Sequence, residues 1–97
     1  MDPIMEQIIE LLKQGAYEFT EHAFDRMAEY VLDEKEVLTA IEEGFISKKQ
    51  RDEKREARWV YTILGDSDTE RSVYVAGKIV KGTFQVFRIL TAKEDEG

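Results

Sequence analysis

The chain contains no cysteine, so it forms no disulfide and offers no thiolate to a metal or to covalent catalysis. It has a single histidine and a single tryptophan, one proline and no asparagine. One histidine without cysteine leaves only carboxylates as metal ligands. The acidic stretch Asp66-Ser67-Asp68-Thr69-Glu70 has neither the length nor the glycine of a calcium loop. No Gly-rich phosphate loop and no serine-nucleophile motif occurs. No metal or other cofactor is therefore expected. No run approaches the ~20 apolar residues of a membrane span. The opening residues Met1-Asp2-Pro3-Ile4 lack the charged-then-apolar pattern of a secretory leader. A reducing, cytoplasmic setting is expected. Missing asparagine together with abundant Glu and Lys fits a heat-tolerant source.

What is present suits one small globular domain over residues 1–97, 42% hydrophobic and 10% aromatic. The formal net charge of -7 opposes strong nonspecific attraction to nucleic acid. The charge is unevenly spread. Residues 1–43 carry 12 acidic and 3 basic side chains, whereas residues 44–60 carry 3 acidic and 6 basic. A polyanion would be drawn to the second half.

The first half reads as helical. Asp2 can cap a helix with Pro3 at its first position, and Ile4, Ile8, Leu11 and Leu12 make one apolar stripe that Gly15 ends. Ala16 to Thr20 reads as a short strand or an extended entry segment. Thr20 caps a second helix over about residues 21–30, with Ala23, Met27 and either Tyr30 or Val31 inward. Asp33 to Glu36 is a capping box with a Leu32–Val37 staple. The third helix turns Val37, Leu38 and Ile41 inward and stops at Gly44.

After Gly44 the apolar period changes from helical to alternating. Phe45 starts a strand that runs into the charged stretch Lys48 to Arg58. Trp59–Leu64, Ser72–Val80 and Thr83–Thr91 read as strands, the last two joined by a tight turn at Lys81-Gly82. The expected fold is α+β: two or three N-terminal helices packed on a C-terminal antiparallel sheet of three to four strands.

The run Phe19-Thr20-Glu21-His22-Ala23-Phe24-Asp25-Arg26-Met27 resembles a bacterial family of unknown function with a Thr-x-His-Ala-x-x-Arg-Met signature. Tyr61-Thr62-Ile63-Leu64-Gly65, Ser72 to Ala76 and Phe87 to Thr91 look like its three strands. The likeness covers residues 16–92, leaving residues 1–15 as a helical extension and 93–97 as an acidic tail. The family resembles the RelE, BrnT and MqsR type of toxin. That implies a RelE/BrnT-toxin-like fold, a ribonuclease acting on RNA without metal, and an antitoxin protein as partner.

Each candidate residue has two readings. His22, second in its helix, sits where the helix dipole favours neutral imidazole, which can act as a base toward a ribose 2′-hydroxyl. Equally, it can merely order the strand-to-helix corner. Arg26, one turn later, can bind phosphate or pair with Asp25 or Glu29 on the surface. Tyr61 is a candidate proton donor or stacking group and Arg88 a second phosphate contact, with Lys78 able to join them if the strands face one way. Lys48, Lys49, Arg51, Arg55 and Arg58, with Lys54 and the following Trp59, are candidate RNA contacts. Interspersed Asp52, Glu53 and Glu56 fit a solvated arm instead. Trp59 suits the core better than a ligand platform.

Two functions fit these residues. One is a toxin-like RNA-binding domain and metal-independent ribonuclease. The other is a non-catalytic protein-interaction module of the same fold, which the acidic charge favours.

Overall fold

Local capping chemistry sets where each helix begins. In the computed structural model, which describes residues 2–96, Asp2 Oδ1 accepts a hydrogen bond from Ile4 N at 2.8 Å and opens helix α1 (Pro3–Lys13). Gly15, at φ +71°, turns the chain out of that helix, a conformation glycine adopts without a Cβ penalty. Thr20 caps α2 (Glu21–Tyr30). Asp33 and Glu36 close a reciprocal capping box on α3 (Glu34–Glu43).

The buried stripes differ slightly from the sequence reading. In α1 they are Met5, Ile8, Leu11 and Leu12, with Ile4 only half-buried. In α2, Ala23 and Met27 are buried and Tyr30 packs against them, while Val31 is exposed. In α3, Val37, Ala40 and Ile41 are buried and Leu38 half-buried.

Five strands follow the order β1-β5-β4-β3-β2: β1 (Tyr17–Phe19), β2 (Phe45–Arg51), β3 (Trp59–Asp66), β4 (Ser72–Lys81) and β5 (Gln85–Glu94). The sheet thus has five strands, not three to four, and is mixed, not purely antiparallel. The extra strand is β1, which pairs parallel with β5, Tyr17 opposite Phe87 and Phe19 opposite Ile89. A three-residue strand carries too little alternation to be told from an extended linker. Its partner, some 70 residues away in the chain, decides it.

The β4–β5 turn is longer than expected. Lys81 pairs with Gln85, so residues 82–84 form the loop and Thr83 lies in the turn. Strand β5 also continues to Glu94, which pairs with Val73, so Lys93 and Glu94 belong to the sheet and not to a tail.

All three helices lie on one face of the sheet. The core joins their apolar stripes to Tyr61, Ile63, Val73, Val75, Phe87, Ile89 and Ala92. Burying one such aliphatic or aromatic side chain contributes about 1.5–3 kcal/mol. No helix among the described residues is long and apolar enough to cross a membrane.

Candidate functional site

Strand residues alternate between faces, so those between the core positions form the face that no helix covers, although the turn carrying Asp52 and Glu56 folds over Lys78 and leaves it 1% exposed. There the structure opens a trough of about 790 Å³. Val60 of β3, Ala76 and Lys78 of β4, and Arg88 and Leu90 of β5 line its floor. One rim is the β1–α2 corner, with Glu18, Thr20 and His22; the other is the end of β2 and the turn after it, with residues 50–54 and Glu56.

The first rim is held by Thr20. Its Oγ1 accepts from Ala23 N at 3.1 Å and donates to Leu90 O at 3.1 Å, tying the helix start to β5. Thr20 N also donates to Ile89 O at 3.0 Å. His22, at the second helical position, is exposed beside this anchored corner.

Asp52 organises the second rim. Its Oδ1 accepts from Lys54 N at 3.2 Å, and its Oδ2 accepts from Glu56 N and Ala57 N, both at 2.9 Å. The same carboxylate meets Lys78 Nζ at 3.0 Å. A lysine placed in a strand thereby becomes the counter-ion of a turn. Burial pushes the Asp52 carboxyl up, but the Lys78 and backbone hydrogen bonds outweigh it and hold the group below its ordinary value. Burial likewise disfavours the Lys78 ammonium, and the bonds to Glu56 and Asp52 overcome this and hold it above its ordinary value.

A ladder of ion pairs crosses the floor. Lys78 Nζ donates to Glu56 Oε1 at 2.7 Å, and Arg88 Nη1 to Glu56 Oε2 at 3.1 Å. Arg88 Nε donates to Glu18 Oε1 at 2.8 Å. The Glu18 carboxylate raises the Arg88 guanidinium, and Lys78 lowers the Glu56 carboxyl. The floor therefore sets three carboxylates against two cations and carries one net negative charge.

The structure brings His22 and Arg88 to one trough, with Lys78 beside them, and leaves the other two catalytic candidates outside. Tyr61 pairs with Gly77 and faces the helices, where it lines a separate groove with Ile4, Gln7 and Trp59. Burial raises its phenol further above neutrality, reinforced by the Asp2 carboxylate and opposed by Arg58, so it is a poorer acid than a free tyrosine. Strand parity, which one sequence does not fix, decided this. Arg26 donates to Glu29 at 2.8 Å and lies over the Tyr30 ring at 5.5 Å, so it forms the surface pair that helical spacing allows.

The basic cluster splits. Lys49 and Arg51 pair with Tyr61 and Trp59 across the β2–β3 ladder, while Lys48 pairs with Thr62 on the alternate register. The Lys49 ammonium stands 4.3 Å from the Trp59 ring centre, with the Arg51 and Arg58 guanidiniums at 5.3 and 5.9 Å. Trp59 is half-buried, packed on the core and ringed by cations. Arg55, at φ +58°, lies in the turn and lines a shallow hollow with Arg51 and Arg58. Lys54 lines the trough.

Sequence reasoning missed Glu18, Asp52 and Glu56 as partners of the floor. The available signal was Lys78 inside a β-rich run, since a lysine withdrawn from water requires a carboxylate. Among the described residues, no group of three or more His, Asp or Glu side chains is placed to hold a metal ion.

The helix–sheet architecture and the histidine-bearing corner place the chain in a class of small α+β domains with an open sheet face. Residues 19–94 match the family described as a domain of unknown function, DUF4258, and the chain belongs to that family. The match includes α2, α3 and all of β2 to β5, and leaves α1 outside. No curated protein matches the chain.

Proposed function

We propose that this domain binds single-stranded RNA across its open sheet face and cleaves it without a metal, as a toxin restrained by an antitoxin protein. The observation that carries this reading is the shared trough of His22, Arg88 and Lys78, contributed by α2, β5 and β4. His22 accepts the proton of a ribose 2′-hydroxyl. The 2′ oxygen then attacks the adjacent phosphorus, and Arg88 offsets the charge gathering on the phosphoryl oxygens. The 5′ oxygen leaves with a proton from solvent, giving a 2′,3′-cyclic phosphate and a 5′-hydroxyl. Lys49 and Trp59 share the helix-side face with Tyr61, so the cationic and aromatic surface they form with Arg51 and Arg58 serves a strand that wraps round the β2 edge from the trough.

The test is cleavage of a single-stranded oligoribonucleotide by the full chain in a chelator. Cyclic-phosphate ends are expected, with His22→Ala and Arg88→Ala lowering the rate at least about 100-fold, the scale of one general base or one charge-stabilising contact. Arg26→Ala and Tyr61→Phe should retain activity. Undiminished cleavage by His22→Ala overturns the mechanism. In cells, the bare chain should arrest bacterial growth and His22→Ala should relieve it.

A second reading, a non-catalytic protein-interaction module, is favoured by the floor's excess of carboxylate, where Asp52, Glu56 and Glu18 already face Lys78 and Arg88. It is the outcome if RNA is neither bound nor cleaved while a partner protein is retained on the open face.

A further inference from the structure

Glu56 joins two cations that each already have a carboxylate of their own. Asp52 faces Lys78, and Glu18 faces Arg88. Glu56 then spans both, Oε1 to Lys78 Nζ at 2.7 Å and Oε2 to Arg88 Nη1 at 3.1 Å. Lys78 and Arg88 are direct register partners on β4 and β5, so the bridge lies across the floor of the trough that His22 lines.

Two oxygens of one anion held by two separate cations is the arrangement that the non-bridging oxygens of a phosphodiester adopt. A carboxylate and a phosphodiester each carry one negative charge. Replacing one by the other leaves the charge balance of the floor unchanged, whereas a phosphate dianion would overload it.

The bridge is also the replaceable part of the network. The Glu56 side chain is 46% exposed, against 4% for Asp52 and 1% for Lys78. Its backbone does not depend on its carboxylate. The turn is held through the Asp52 bonds to Lys54 N, Glu56 N and Ala57 N. The Glu56 side chain can rotate into solvent while the turn stays in place.

We propose that Glu56 occupies, in the free protein, the seat of a substrate phosphodiester between Lys78 and Arg88. This deepens the RNA-binding reading and rests on it. The ligand class is a phosphodiester monoanion, and Glu56 is a built-in competitor that sets the affinity of the trough.

The probe is thymidylyl-(3′→5′)-thymidine, which has one phosphodiester and no 2′-hydroxyl, followed by amide chemical shifts at low ionic strength. Thymidine and inorganic phosphate serve as separate arms. Glu56→Ala should bind the dinucleotide about tenfold more tightly than the parent chain, the worth of one charge-assisted contact no longer contested. Arg88→Gln in the Glu56→Ala background should remove that gain. Shifts should centre on Lys78, Arg88 and the β1–α2 corner. Thymidine should not share the gain, and inorganic phosphate should bind less tightly than the dinucleotide. A well-folded Glu56→Ala chain with unchanged or weaker dinucleotide binding overturns the proposal. Tighter binding of inorganic phosphate overturns the diester assignment. Because the probe cannot be cleaved, a chain that shows the gain but leaves RNA intact keeps this inference and loses the ribonuclease mechanism. RNA cleavage without the gain does the reverse.

Discussion

The Lys78 ammonium stands 3.0 Å from the Asp52 carboxylate, and both side chains are shut away from water. Twenty-six positions separate them in the chain, yet each is the condition for burying the other. Asp52 has a further role that Lys78 lacks, because it also satisfies three backbone N–H groups of the 52–58 turn. Asp52→Ala leaves the buried ammonium with Glu56 as its one carboxylate and strands those three donors. It should cost about 3 kcal/mol. Lys78→Met keeps most of the side-chain volume and leaves Asp52 its backbone donors, so it should cost less. Denaturant midpoints at neutral pH test the order; a greater loss for Lys78→Met would show that the turn is not organised by Asp52.

The same pair, with Glu56, makes stability depend on pH. Asp52 and Glu56 titrate below their ordinary values of 3.8 and 4.5 in the folded chain. As pH falls through those values the unfolded carboxylates take up protons first, so stability present near neutrality declines in acid until the folded groups protonate too. Lys78 titrates above its ordinary 10.5 in the folded chain, so its contribution is full below that pH and is lost as pH rises through the higher folded value. Unfolding followed against pH should show an acid limb that is shallower in Glu56→Gln. An unaltered limb would remove Glu56 from the linkage.

Arg71 ties the end of α2 to the sheet. Its guanidinium donates to Val31 O at 3.0 Å and to Tyr30 O, and it pairs with Glu36 and Glu94. These carbonyls end a helix and have no partner within it, so a cation there is doubly favourable. Arg71→Ala should cost about 1–3 kcal/mol by thermal or chemical unfolding. Arg71→Lys should recover only part, because a single ammonium does not reproduce the planar fork.

Val31 closes α2 at φ +53°, in the left-handed region that a β-branched residue rarely enters. It is 81% exposed, so its side chain contributes little to the core. Val31→Gly should raise stability by about 0.5–1 kcal/mol, with relief of strain exceeding the added freedom of the unfolded chain. A lower melting temperature would count against this.

At Gly65 the sheet runs tight against the α3 backbone. A Cβ there would meet Ala40 O and lie 2.8 Å from Gly44 Cα, both backbone atoms that cannot swing aside. Gly77 differs, since its added Cβ would press first on the Phe87 ring, with Arg88 O at 2.9 Å behind it. Gly65→Ala should cost about 3 kcal/mol or more, and Gly77→Ala should also destabilise, shifting the ring and the Arg88 backbone below it. Equal stability of Gly65→Ala and the parent would show that α3 can withdraw without loss.

Residues that act on near neighbours were legible in the sequence. Thr20, Asp33 and Glu36 cap helices through bonds spanning three positions, and those starts follow from local chemistry alone. The four longer strands followed from alternation, although their ends did not, because pairing partners extend β5 to Glu94. His22 was visible as a lone imidazole beside a capping threonine. Its place in the trough that Arg88 also lines was not, and neither was the withdrawal of Tyr61 to the opposite face.

The amino-acid order by itself determined the helix caps, the change of period after Gly44, the acidic first half and the absence of sulfur chemistry. Contacts between distant segments make Tyr17–Phe19 a strand, pair Lys78 with Asp52, and let Glu56 bridge two neighbouring strands. Caps and periodicity are short-range, fixed by the reach of one side chain along its own backbone. Strand parity, ion-pair choice and the lining of a trough depend on segments distant in sequence, whose register is set by how the whole apolar surface is buried.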